Sequence, residues 1–211
     1  MSLCIKRLVD PICSDPHELV RRTRRRRELT ARILDAALAE LRDYGLKRTS
    51  VENVARRAGL ARATIYRRFA NKPELVRVVA VREVSRMMEH VTRRVASLPT
   101  VQERVVEGFV AGVRLARDDS LLTKLLASEP ETTLPYLTVD SEGALAAIRL
   151  LLVAQLMDTP EPLGLADPEA TAEVMVRLGL SVLFAPRGHI PLDTEEDLRA
   201  FATTFLLPLL R

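Results

Sequence analysis

The chain has no tryptophan, two cysteines and three histidines among its 211 residues, and aromatic side chains make up 4% of it. Each shortage removes a class of chemistry. His17, His90 and His189 fall in a tail, a helix and a loop, and the sequence carries no G-x-S-x-G elbow, Walker loop, H-E-x-x-H pair or dinucleotide fingerprint. The acid pair Glu129 and Glu131 reads as a solvated loop charge run, so no enzyme and no cofactor are expected. Cys4 and Cys13 are too far apart for a C-x-x-C clamp, and with His17 they lack a fourth ligand and a rigid frame, so no metal is expected either. No apolar run is long enough for a membrane span, and no signal-like segment follows the basic residues, which implies a cytoplasmic, thiol-reduced protein without a membrane partner. Strand-like alternation is almost absent, and there is neither an internal repeat nor a low-complexity tract beyond a run of arginines.

What remains is helical periodicity, with 47% hydrophobic residues to build a core. Glycine and proline collect between the periodic segments: Ser128 to Pro135, Thr159 to Asp167 and Ala185 to Pro191 each hold two prolines. The pattern predicts helices over 33–45, 51–58, 62–69, 73–97, 101–117, 120–127, 142–158, 168–184 and 194–210. Asp167 and Asp193 are the expected N-caps of the last two. This is an all-α fold of about nine helices in two parts: a three-helix helix-turn-helix unit over 28–75, and a larger helical domain over 76–211. Residues 1–27 read as a flexible basic extension.

The most informative stretch is Thr49 to Glu74, TSVENVARRAGLARATIYRRFANKPE. Thr49 followed by Glu52 fits a capping box, and Val51, Val54, Ala55 and Ala58 form one apolar stripe that ends at Gly59, a residue suited to a left-handed C-terminal turn. A second short helix follows, with Ile65 and Phe69 toward the core and Arg62, Ala63, Tyr66 and Arg67 on the other face, beside Arg68. Two short helices around a tight turn are a layout for reading DNA, the second helix entering the major groove. Arginine can pair with guanine through two hydrogen bonds, and a tyrosine hydroxyl suits a phosphate. Asn71, with Glu74 three residues on, opens a third helix whose first turn carries Lys72, where an ammonium group and free amides together suit a phosphate.

These residues resemble the DNA-binding domain of TetR-family transcriptional regulators, in ILDAALAELRDYG at 33–45, TSVENVARRAGLARATIYRRF at 49–69 and NKPEL at 71–75. The resemblance implies that Thr49, Arg62, Thr64, Tyr66 and Lys72 fall on DNA-contacting positions, Tyr66 and Lys72 against the backbone. Ala61 departs from the serine or threonine usual there, and Ala63 from a frequent glycine. The first change removes a cap and a phosphate contact.

Charge supports this reading independently. Residues 1–80 carry a net +10 and residues 81–211 a net −6, the footprint of a chain only part of which meets a polyanion. Arg21, Arg22, Arg24, Arg25, Arg26 and Arg27 form the densest run, either an arm that follows the phosphate backbone or enters a minor groove, or a solubilising tail.

In the larger domain, Leu198, Phe201, Ala202, Phe205, Leu206 and Leu209 stripe the last helix, and Val174, Val176, Leu178, Leu180, Val182, Leu183 and Phe184 surround the one before it. In proteins of the resembled family the final pair of helices packs against a symmetry mate, which implies a homodimer through the last two helices here. The middle helices then form an effector cavity, for which Met87, Met88, His90, Phe109, Leu126, Tyr136, Leu152, Gln155, Met157 and Met175 are candidates. Gln155 shares an apolar stripe with Ile148 and Leu152, so its amide needs a partner, either a ligand or another side chain. Few aromatics and no charge cluster point to a largely apolar small-molecule effector. The expectation is a dimeric, ligand-responsive regulator, a repressor, on a palindromic double-stranded DNA operator. The alternative keeps the fold without an effector, as a constitutive or architectural DNA-binding protein.

Overall fold

Between Pro16 and Tyr44 no glycine or proline interrupts the chain, and the first helix uses all of that freedom. The computed structural model describes residues 16–138, 142–158, 163 and 165–210, with side chains from Arg21 onward except that of Arg22. Cys4, Cys13 and the His17 side chain lie outside the described residues. The helices are α1 (Pro16–Arg48), α2 (Val51–Ala58), α3 (Arg62–Tyr66), α4 (Lys72–Val95), α5 (Val101–Asp118), α6 (Ser120–Ser128), α7 (Pro130–Leu137), α8 (Glu142–Met157), α9 (Pro168–Phe184) and α10 (Glu195–Phe201). After α10 the chain loosens into a π turn (Ala202–Leu206) and tightens into a 3-10 turn (Leu207–Leu210). Among the described residues no helix is long and apolar enough to cross a membrane.

Two boundaries differ from the sequence-based expectation. Residues 16–27, expected as a flexible extension, are the opening turns of α1. Arginine is a good helix former, successive side chains point about 100° apart around the axis, and Arg24 pairs with Glu28 one turn on at 2.8 Å. The segment expected as a proline-bearing break at 128–135 contains α7, because Pro130 stands at a first-turn position where its missing N–H is not needed.

Two cores result. The first joins Ile33, Leu38 and Leu41 of α1, Val51 and Val54 of α2, Ile65 and Phe69, and Leu75 and Val79 of α4, with Leu125 of α6 completing it. The boundary expected at residue 75 therefore falls inside a continuous helix. The second core lies among α4, α5, α8, α9 and the C-terminal turns, with Leu156, Met175 and Leu206 at its centre, and Val110, Val182 and Phe201 in an adjoining cluster. Phe109 stacks on Phe201 at 5.5 Å between ring centroids, and Phe201 lies 5.0 Å from Phe205.

The stripe of the last helix, expected at a subunit interface, is mostly consumed inside this core: Leu198, Phe201, Ala202 and Leu206 are buried. Phe205 of the same stripe stays exposed, as do Leu150 (62%) and Met157 (64%) on α8 and Val174 on α9. Leu150, the exposed Ala154 and Met157 are spaced four and three residues apart, so they form one helical face.

Candidate nucleic-acid interface and interior cavity

Ser50 opens α2 by accepting the Asn53 amide at 3.1 Å, and Gly59 closes it with φ 63°, its own amide turned back to the Arg56 carbonyl. Arg32 of α1 donates to the Ala58 carbonyl, and Arg57 pairs with Glu40 and Asp43 of α1, which locks α2 against the first helix. After the turn, α3 starts at Ala61 with no side-chain cap, as the alanine there requires. Ile65 and Phe69 are buried, so Arg62, Ala63, Tyr66 and Arg67 face outward while Thr64 and Arg68 are half-buried.

This outward face is already organised by its own contacts. Arg62 lies over the Tyr66 ring, 5.2 Å from the centroid, donates to its hydroxyl at 3.3 Å and pairs with Glu52 at 2.6 Å. The Tyr66 hydrogen bond first, and the Glu52 charge second, raise the affinity of the guanidinium for its proton. Arg67 donates to Thr64 at 3.2 Å, and Arg68 reaches the Thr30 hydroxyl of α1 at 2.7 Å. For Arg62 to read a base it must give up Glu52, an exposed pair of small worth that a phosphate or guanine can replace. Arg21 and Arg24 to Arg27 are exposed along α1.

Two expected DNA-contacting residues are placed otherwise. Thr49 is only 4% exposed, and its hydroxyl donates to the Gly45 carbonyl at 2.6 Å; Ser50 is the cap, and Glu52 turns to Arg62 instead of back to Thr49. The expected capping box is thus displaced by one residue and unreciprocated, because Thr49 is drawn into the α1 turn. Lys72 does open α4 beside Asn71, which accepts the Glu74 amide at 2.8 Å. Its ammonium, however, donates to the carbonyls of Leu46 at 2.6 Å and Lys47 at 3.3 Å. There it caps the carbonyl end of α1. Desolvation lowers the Lys72 pKa, partly opposed by the charge of Glu129.

The second feature is a cavity of about 160 Å³ between α4, α5, α8 and α9. Of the sequence candidates, Met87, Met88, Phe109, Leu152, Gln155 and Met175 line it. The others fall on other helical faces: His90 and Met157 are exposed, Tyr136 packs against the first core, and Leu126 of α6 is not in the lining. Gln155 donates to the Thr92 hydroxyl at 2.9 Å, so its amide has an internal partner. Arg104, at the rim, donates to the Asp158 carbonyl at 2.8 Å. Sequence reasoning missed Gly108, Gly112 and Gly179, which also line the space. The available signal was the pair of glycines four apart in the middle of α5, a costly choice for a helix.

Residues 33–79 match the family profile of bacterial regulatory proteins of the tetR family, and residues 100–204 match the bacterial tetracyclin repressor C-terminal domain. An uncharacterized HTH-type transcriptional regulator of Mycobacterium tuberculosis is 30% identical over 189 residues, 88% of this chain and 87% of that one. The regulator AlkX of the same organism is 28% identical over 182 residues, 83% and 85% of the two chains. Among solved structures, the TetR family repressor AlkX from a Dietzia strain, implicated in biodegradation of n-alkanes, superposes with a TM-score of 0.68 at 18% identity, covering 86% of this chain and 97% of that one.

Proposed function

The chain belongs to the TetR family of DNA-binding transcriptional regulators, and from that premise we propose that it is a ligand-responsive repressor whose two DNA-reading units, one per subunit, grip a palindromic operator. The observation that carries the reading is the sharing of α4: its first turn seats Lys72 against the carbonyl end of α1, and its middle supplies Met87, Met88 and Thr92 to a largely apolar cavity. A ligand entering that cavity acts on the helix that begins at the DNA-reading unit. For repression to be relieved, the ligand must prefer the arrangement that does not fit DNA, with a coupling of about 1 to 3 kcal/mol.

On the DNA side, Arg62, Ala63, Thr64, Tyr66, Arg67 and Arg68 form the reading face. Arg24 to Arg27 extend the positive charge along α1, and Lys72 serves the phosphate backbone by way of its seat at α1. The walls of the cavity suit a compact apolar effector, with the Thr92 and Gln155 pair as the polar fixture. Regulators of this family act as dimers. Exposed Val174 of α9 and Phe205 of the last helix support a subunit interface through the last two helices, which Leu150 and Met157 extend onto α8. A DNA partner supports a cytoplasmic location.

The test is retardation of labelled genomic fragments by the wild-type chain and by Tyr66→Ala combined with Arg62→Ala. Wild type retards a discrete subset and the double variant loses at least tenfold in affinity while keeping its far-ultraviolet spectrum; retention of full affinity overturns the docking face. The constitutive reading draws on one observation, the internal partner that already satisfies Gln155. It is favoured if no apolar compound changes operator affinity.

A further inference from the structure

Two segments distant in sequence, the start of α4 and α6 with its joint to α7, converge on the last turns of α1. Gly45 leaves the helix with φ 80°, a conformation that glycine adopts freely. Glu129, at the joint of α6 and α7, accepts the Lys47 amide through Oε2 at 2.7 Å, while its Oε1 occupies the space that a methyl group on residue 45 would need. Lys124 of α6 donates to the Arg42 carbonyl at 2.8 Å, and Lys72 of α4 donates to those of Leu46 and Lys47. The chemistry is complementary: a helix end offers unpaired carbonyls that favour cations, and a carboxylate is a strong acceptor for the amide that follows.

Glu129 is itself held from both sides. Its amide donates to the Leu125 carbonyl at 2.8 Å, its carbonyl accepts the Thr133 amide at 3.0 Å, and the buried Thr133 hydroxyl donates to Leu125. Leu125 in turn is part of the first core. The α1 turn runs directly into Thr49, bound to Gly45, and into Ser50, the cap of α2. Any shift of that turn therefore moves α2 and α3 as a unit.

We propose that Glu129 is the positioning residue for DNA reading: its carboxylate, carried on the α6–α7 joint, fixes the α1 turn and so sets the α2–α3 unit relative to the larger domain. This rests on the DNA-binding reading above. Two properties of the side chain are used, an oxygen acceptor at Lys47 and a shape that fills the space at Gly45, and glutamine keeps both while alanine keeps neither.

The experiment uses the full chain and a duplex enriched from random-sequence DNA by the wild type. Glu129→Ala lowers affinity for that duplex about tenfold, near the lower end of what losing a hydrogen bond to a charged group costs. Amide exchange over residues 45–49 rises, and the dimer mass is unchanged. Glu129→Gln restores affinity to within about twofold of wild type and restores slow exchange. Wild-type affinity in Glu129→Ala overturns the inference, as does an equal loss in Glu129→Gln. A wild-type chain that enriches no duplex overturns the DNA-binding reading and this inference with it, whereas enrichment followed by indifference to Glu129→Ala overturns the inference alone.

Discussion

Gly112 of α5 and Gly179 of α9 sit in helix interiors, where glycine is less stable than alanine by about 0.5 to 1 kcal/mol. A Cβ at Gly112 would meet Met88 Cε at 3.9 Å and one at Gly179 would meet Phe109 Cε2 at 3.9 Å, both ordinary contacts. Alanine therefore fits at either site without displacing anything, and its methyl group adds up to about 0.8 kcal/mol of apolar burial. The double variant should gain about 2 to 3 kcal/mol, and at about 2 to 4 °C per kcal/mol for a chain of this size its melting temperature should rise by about 5 to 10 °C. Thermal unfolding followed by circular dichroism at one fixed protein concentration measures this, since a dimer's midpoint depends on concentration. The same substitutions shrink the cavity, so binding of the apolar fluorophore N-phenyl-1-naphthylamine should weaken several-fold. Gly188→Ala, with nothing within 4 Å, is the control and should leave probe binding unchanged. A lower melting temperature, or a stabilised double variant that binds the probe as wild type does, would refute the idea that these glycines exchange stability for space.

Four exposed arginines, Arg24 to Arg27, span the whole circumference of α1, so about half can face one duplex at a time. Replacing all four by alanine in both subunits should flatten the slope of log affinity against log salt by about 3 to 4, read by fluorescence anisotropy; an unchanged slope removes them from the interface. Leu150→Glu with Val174→Glu should convert the dimer to a monomer in analytical ultracentrifugation, and an unaltered sedimentation coefficient would exclude the α8 and α9 face. Acid should destabilise the larger domain, because Arg199 holds Glu107, Arg177 holds Glu173, and the Thr194 amide and hydroxyl hold Asp197 below their usual ranges. With depressed values in the folded state the unfolded chain binds more protons, so the stabilisation is complete above the ordinary values of 4.5 for Glu and 3.8 for Asp and drains away as pH falls through the folded ones. The melting temperature should be flat from about pH 7 to 5 and fall below about pH 4, with Glu107→Gln removing part of that fall.

Most of the helix-turn-helix unit was legible because its signals are local. The Val51, Val54, Ala55 and Ala58 stripe, the closing Gly59, the missing cap at Ala61 and the Asn71 cap depend only on neighbours in sequence, and each appears where spacing predicts it. Thr49 was misread for a non-local reason: the competing acceptor is the Gly45 carbonyl, freed by a helix break that no periodicity reveals. Lys72 lies on α4 as expected, but its ammonium was assigned to a DNA phosphate, because the α1 carbonyls it finds lie 26 and 25 residues upstream. The cavity was half legible. A methionine or phenylalanine at helical spacing could be named as a candidate, yet which face turns inward is set by pairings between α4, α5, α8 and α9. Arginine density at residues 21–27 suggested a loose arm, where helix propensity and the freedom of long side chains to splay prevailed.

Leu125 completes the core of the DNA-reading unit, and Leu121 and Tyr136 pack against that core as well. During synthesis, then, the first three helices and the start of α4 emerge with an apolar hollow that stays unfilled until the ribosome has added the chain from Val79 to Tyr136. At about 5 to 20 residues per second this is an interval of about 3 to 11 seconds. The unit that will read DNA is exposed as a partly built surface for that time, which makes it the segment of this chain for which a holding chaperone matters most.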